Sequence, residues 1–250
     1  HTKALENEGA ILLAQSDGCS VWQFRNESGE GAMTAYEVFP GVMLSFNDFH
    51  MEHYHSGFVS DRRILAIDHC REGQMEYAAG NGMVGYTAAG DMKLDRRRHH
   101  TGDFVFPSCH YHGLTVAFDL DIVGRSLSEE VKDFPVSPEQ IITRFSLTDY
   151  PCVLHGMEEA EHIFGELYRV PAKIRIPYFR VKILELLLYL DAVTVPKTKD
   201  HQPYFYRTQT EKVKAIRSFL TEHIAENFTQ EELSKQFDIP MTAMKSCFRS

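Results

Sequence analysis

The sequence predicts an α+β protein: a sandwich or barrel of short strands, then a helical region, then an all-α segment. Three observations carry this. Short apolar stretches of strand length, broken by glycine turns, run from about residue 10 to residue 123. After Val123 the apolar spacing lengthens to that of a helix. A polar, proline-containing stretch over residues 194–210 then reads as a linker before a further helical block over 211–250.

Strands come first. In YEVFPGVMLSF, Val42, Leu44 and Phe46 fall on one face of a strand and Met43 and Ser45 on the other, because successive strand side chains alternate. RRILAIDHC supplies a strand over residues 64–70. QMEYAAGNGMVGYTAAGDM reads as a hairpin turning at Gly80, Asn81 and Gly82, residue types that tolerate the backbone of a tight turn. TGDFVFPSCHYHGLTVAFDLDIV adds strands over 103–106 and 114–120. Evenly spaced short strands of this kind define a sandwich or barrel.

Helices follow. SLSEEVKDF opens with Ser126 and Glu129 in the spacing of a helix entry. MEEAEHIFGELYRV and IPYFRVKILELLLYLDAV have helical length and period, with Pro171 and Pro177 between them. In the second, Phe179, Ile183, Leu186, Leu187 and Leu190 form one apolar side, and Val181, Leu184 and Leu188 form another. Such a helix needs two partners: the barrel or a neighbouring helix on one side, and more of its own chain or a second subunit on the other.

Composition sets bounds. The chain has 250 residues, enough for two modest domains, and 43% hydrophobic with 24% charged content excludes a disordered chain. The longest apolar run, residues 183–190, is shorter than a membrane span and carries Glu185. The first residues lack a signal-peptide pattern and an initiator Met, so a trimmed start is expected. Cys19, Cys70, Cys109, Cys152 and Cys247 are scattered without a CxxC pair, which argues against zinc ribbons and disulfide frameworks and fits a reducing cytoplasm. The net charge of −9 argues against a chain that coats nucleic acid with basic surface, though not against a local reading patch.

The closing block has the parts of such a patch. In TEKVKAIRSFLTEHIAENF, Val213, Ile216, Phe219, Leu220 and Ile224 share a helical stripe. Thr229 and Glu232 stand in capping-box spacing, and Leu233 and Phe237 share a side one turn apart. Residues 238–240 make a turn with Ile239 as its plug. In MTAMKSCFRS, Met244 and Phe248 point inward, and Thr242, Ala243, Lys245, Ser246 and Arg249 point outward. Small residues at a helix start let its backbone approach a groove. Lys and Arg meet phosphates or guanine edges, and Thr or Ser meets either. An ordinary helical hairpin with a solvated polar face has the same pattern. Residues 211–250 carry four Lys, two Arg, five Glu and one Asp, so the block is neutral and is expected to bind DNA weakly by itself.

LTEHIAENFTQEELSKQFDIPMTAMKSCFRS resembles the first helix-turn-helix of the AraC/XylS family of bacterial transcription regulators. The resemblance runs through Leu233, Phe237, Ile239, Met244, Lys245, Phe248 and Arg249, while Ser234, Asp238 and Pro240 stand where the family usually has Ala, Gly and Ser. It implies a DNA-binding domain of two helix-turn-helix units, of which residues 211–250 are the first half, so the sequence is expected to be a fragment. It also implies a cupin-like β-barrel over 1–124 that binds a small effector, and helices over 125–193 that form a homodimer. GVMLSFNDFH, IDHCREGQMEY, YTAAGDMKL and FVFPSCHYHGLTVAFDLD are similar to the sensor of one branch of the family. The implied function is a cytoplasmic, ligand-responsive transcription regulator. No enzymatic activity and no cofactor are expected, and DNA contacts are expected at Thr242, Ala243, Lys245, Ser246 and Arg249.

Two further features carry chemistry. His53/His55 and His110/His112 are His-x-His pairs, and on a strand each pair presents two imidazoles to one side. Cupin enzymes hold a metal with such a pair, a Glu a few residues on and a later His. Here Ser56, Gly57, Phe58 and Val59 follow the first pair, so the ligand set is incomplete. A cupin-type metalloenzyme with His53 and His55 as ligands is the alternative reading. The reading adopted places all four imidazoles at the effector site's mouth or at the surface, with His53 or His55 hydrogen-bonding an effector without metal. DRRRHH, residues 95–100, reads as a solvated hairpin tip, or else as a capture site for an anion. Cys70, in an apolar strand, reads as a core thiol rather than a sensor.

Overall fold

The computed structural model describes residues 10–16, 18–97, 99–148, 150–195 and 204–249. Its strands are β1 (Ile11–Ser16), β2 (Cys19–Asn26), β3 (Gly29–Phe39), β4 (Val42–His50), β5 (His53–Val59), β6 (Ile64–Gly80), β7 (Met83–Ala88), β8 (Met92–Arg96), β9 (His99–Val105), β10 (Tyr111–Asp119), β11 (Cys152–Leu154) and β12 (Phe205–Tyr206). Its helices are α1 (Leu120–Glu130), α2 (Pro138–Arg144), α3 (Glu161–Leu167), α4 (Arg175–Ala192), α5 (Arg207–Glu222), α6 (Gln230–Gln236) and α7 (Met241–Arg249). The chain divides into two compact units: His1–Glu76 with Thr87–Thr198, and Tyr77–Tyr86 with Lys199–Ser250.

The first unit is a curled antiparallel sheet with helices on one face. The strands run β1-β2-β3-β4-β10-β6, with β8 between β6 and β11, and β9 between β5 and β6. In the register, Val42 lies opposite Phe118 and Leu44 opposite Val116, and Val116 lies opposite Ile67. These residues, with Leu65, Met92, Leu94 and Leu114, are fully or almost fully buried against Phe164, Phe179, Ile183, Leu186, Leu187 and Leu190 of the helices. Each of those side chains gains roughly 1.5–3 kcal/mol by leaving water, which is what fixes the register: a slip by one residue would turn the whole set over. Polar anchors add to this. Arg180 Nε donates to the Val38 carbonyl at 2.8 Å and Arg175 Nη1 to the Tyr36 hydroxyl at 3.0 Å, tying α4 to β3. His69 stacks on Phe164 with ring centroids 4.1 Å apart, and its Nε2 lies 3.2 Å from Glu161 Oε1.

One reading needs correction here. The first helix starts at Leu120, not at Ser126, because Asp119 ends β10 and its carboxylate accepts from the Asp121 amide at 3.1 Å. Capping by the last strand residue pre-empts the later entry signal. The second stripe of α4 is only partly covered: Val181 is 60% and Leu188 45% exposed, while Leu184 is half-buried.

The second unit joins the hairpin turning at residues 80–82 to three helices. Phe205 and Tyr206 pair with Val84 and Met83. Gly80, Asn81 and Gly82 all take positive φ, as the turn requires. Ile216, Leu233, Ile239 and Met244 form a small core, with Val213, Phe219, Leu220, Phe228, Phe237 and Ala243 packed on it. Thr229 and Glu232 close the capping box at the start of α6 in both directions. Asp238 takes φ 49, the left-handed conformation that glycine adopts without cost, and its carboxylate sits 3.0 Å from Lys212 Nζ. Two inward assignments fail. Ile224 is 87% exposed because α5 has already ended at Glu222, and Phe248 is 49% exposed while Met244, one turn earlier on α7, is buried. Ala243, assigned outward, packs on that core.

Candidate functional site: an apolar chamber with a buried ionic wall

The sheet face away from the helices lines a partly open cavity of about 200 Å³. It exists because the strands alternate. Where Val42, Leu44, Leu114 and Val116 face the helices, Met43, Ser45, Thr115 and Ala117 face the cavity. The β5 and β9 pair, in register with Tyr54 opposite Phe104, supplies a further wall. Aromatic rings dominate the lining. Phe24 meets Tyr54 edge-on at 5.2 Å, and Phe49 stacks on Phe106 at 5.4 Å with 12° between planes. Gly31 makes room for this group, since a Cβ there would lie 2.2 Å from the Phe49 ring.

One part of the wall is ionic. Asp68 accepts from Thr115 Oγ1 at 2.6 Å and from Arg97 Nη2 at 2.5 Å, and Lys93 Nζ lies 3.0 Å from the same carboxylate. Asp95 stands 3.1 Å from Arg97 Nη2 and 3.4 Å from Lys93 Nζ. Asn47 Nδ2 donates to Thr115 Oγ1 at 3.1 Å. Two cations thus face two carboxylates, and the side chains of Lys93 and Asp68 are only 2% and 8% exposed. The flanking carboxylates hold the Arg97 guanidinium charged against the desolvation that opposes it. Asp68, Arg97, Thr115 and Asn47 all line the cavity. Arg97 Nε and Asp95 Oδ1 are buried without a hydrogen-bond partner among the described residues. The chamber therefore offers a ligand a largely apolar body site with charged and hydroxyl groups on one side.

Arg97 and Asp95 overturn the reading of residues 95–100 as a solvated tip, because β8 alternates Met92 and Leu94 toward the helices against Lys93 and Asp95 toward the ionic wall. Arg98 and the side chains of His99 and His100 lie outside the described residues.

None of the four predicted histidines lines the chamber. On β5, Tyr54, Ser56 and Phe58 face it, so His53 and His55 face away. His53 Nε2 lies 3.2 Å from Glu27 and His55 Nδ1 2.8 Å from Asp103, both partly or largely exposed. His110 lies 3.6 Å from Glu72, and His112 packs edge-on against Tyr168 at 5.1 Å. Among the described residues, the group with metal-ligand spacing is Asp48, His50 and His110, which includes neither His53 nor His55. On α7, Thr242, Lys245 and Ser246 are exposed, and the Arg249 side chain lies outside the described residues. Cys70 is buried, and burial pushes its thiol up to about 12, in keeping with a core role. No helix among the described residues is long and apolar enough to cross a membrane.

No family model and no curated protein matches the sequence. Solved structures do show similarity. An apo lysine-to-alanine variant of ToxT from Vibrio cholerae aligns at 10% identity and TM-score 0.42, covering 84% of this chain and 74% of that one. Wild-type ToxT from the same species with an unsaturated fatty acid bound aligns at 10% identity and TM-score 0.38, covering 83% and 74%. The EutQ protein of Clostridium difficile aligns at 10% identity and TM-score 0.27, covering 45% and 72%. All three likenesses are weak, at 10% identity and TM-scores below 0.5.

Proposed function

We propose that the protein is a ligand-responsive transcription regulator. A small effector binds in the chamber of the first unit, and DNA is read by Thr242, Lys245, Ser246 and Arg249 on the outward side of α7. The observation that carries this is the chamber itself. It is an aromatic-lined, partly open cavity with an ionic wall, in a chain whose sequence around α6 and α7 resembles a helix-turn-helix of the AraC/XylS family. The effector this chemistry fits has an apolar body and one polar end. The protein acts by binding rather than by catalysis. The four histidines at 53, 55, 110 and 112, expected at the effector, give way in this reading to Asn47, Asp68, Arg97 and Thr115. The exposed stripe of Val181 and Leu188 on α4 supports a homodimer, which would match paired half-sites on DNA.

The test is DNA affinity against salt, measured on the intact regulator. Lys245→Ala is expected to weaken binding and to reduce the slope of log affinity against log salt by about one, the signature of one lost phosphate contact. Unchanged affinity across salt would remove α7 from the interface.

A further inference from the structure

Three adjacent strands, β4, β10 and β6, bring four metal-compatible side chains together on the side of the sheet turned away from the chamber. Asn47 and Phe49 line the chamber, so Asp48 and His50 of β4 fall on the opposite side. His110, just before β10, follows the same alternation, because Tyr111 lines the chamber. His50 Nε2 lies 3.0 Å from Asp48 Oδ1, and the His50 and His110 rings are 4.8 Å apart. One ligand atom from each of Asp48, His50 and His110 falls within 4.8 Å of the other two. Glu72 of β6 joins them, with Oε2 at 3.6 Å from His110 Nε2. Gly73 makes that approach possible. Its φ of 83 and missing Cβ admit the His110 carbonyl, which would otherwise stand 2.1 Å from a side-chain carbon.

We propose that His50, His110, Asp48 and Glu72 form a binding site for a divalent transition-metal ion of the zinc class, separate from the effector chamber. Two imidazoles and two carboxylates are a borderline N/O donor set, which suits zinc over calcium or magnesium. The two carboxylates balance the charge of a dication. Bonds of roughly 2.0–2.2 Å in a tetrahedron place ligand atoms about 3.4 Å apart. The 3.0 and 3.6 Å separations already bracket that value, and the wider ones close by side-chain rotation, since all four groups reach solvent. The site is distinct from the His53/His55 pair, whose imidazoles engage Glu27 and Asp103 instead.

The experiment uses the full 250-residue chain without a histidine tag, stripped with chelator, and measures Zn(II) affinity by competition with a chromophoric chelator. Co(II) absorption reports the coordination geometry. One saturable site per chain is expected. His50→Ala and His110→Ala should each weaken it beyond the ~10–100-fold that loss of a merely supporting group costs. Glu72→Gln should weaken it less, and a His53→Ala/His55→Ala variant should leave it intact. His50 is exposed, so its variant tests the site without threatening the fold, and Trp22 fluorescence confirms that the fold is kept. No saturable Zn(II) binding, or affinity unchanged in folded His50→Ala, would overturn the proposal.

Discussion

Asp68→Asn tests whether the ionic wall of the chamber is held together as its geometry requires. Lys93 and Arg97 face Asp68 and Asp95, two charges of each sign, and the substitution leaves one cation uncompensated. The new amide could still accept from Thr115, but its NH₂ would meet the ammonium or the guanidinium donor to donor. Breaking a buried pair by removing one partner costs about 3–5 kcal/mol. Asp95 remains 3.1 Å from Arg97 and 3.4 Å from Lys93, which places the expected loss near the lower limit, about 3 kcal/mol. The single tryptophan, Trp22, is 2% exposed in the first unit, so its fluorescence follows that unit's unfolding. With a urea dependence of about 3 kcal/mol/M, the midpoint should fall by about 1 M. Adding Lys93→Met to Asp68→Asn should recover most of the loss, because the surplus charge goes with it. A loss under about 1 kcal/mol, or no recovery in the double variant, would refute a cluster held by charge balance.

Three further outcomes follow from the packing. Met244→Ala removes one of four buried side chains from the core of the second unit and should cost about 2–5 kcal/mol there, read as faster amide exchange in α5–α7 with the Trp22 transition unmoved. Asp238→Gly relieves a left-handed residue and gives up only an exposed ion pair, so it should slow exchange in the same helices by up to about 1 kcal/mol, whereas Asp238→Val should do the reverse. Burial holds the His69 imidazole below its ordinary pKa despite Glu161, so the unfolded chain takes up the proton first as pH falls. The stability that His69 contributes is present above roughly pH 6.5 and is lost as pH drops toward its folded value; His69→Phe should flatten urea midpoints as pH falls below about 6.5.

Much of the fold was legible because both faces of the sheet obey simple alternation. Val42, Leu44 and Phe46 separated from Met43 and Ser45 in the sequence as they do in space. The capping box at Thr229 and Glu232 and the buried Ile239 were equally visible, being local in sequence. The chamber was harder to see. Its ionic wall joins Asp68, Lys93, Asp95, Arg97 and Thr115 from distant parts of the chain, and no short window shows that these meet. The alternation of Lys93 and Asp95 with Met92 and Leu94 reads in sequence as a strand with one solvated face, so the burial of that charged face had no local signal. For the histidines, a His-x-His pair fixes which side chains share a face without saying which face it is. Ile224 and Phe248 continued an apolar spacing past the end of a core too small to take them.

The measurement that bears most directly on this account is occupancy of the chamber. Ala117 lines it beside Met43 and Thr115, so Ala117→Phe fills the cavity from within. Titration with a neutral, environment-sensitive apolar dye should give saturable binding to the natural sequence, and loss of that binding in Ala117→Phe with the Trp22 unfolding transition retained. No saturable binding to the natural sequence, or equal binding by both proteins, would mean that the chamber does not take an apolar ligand of this kind, and would contradict the effector-binding half of the proposed function.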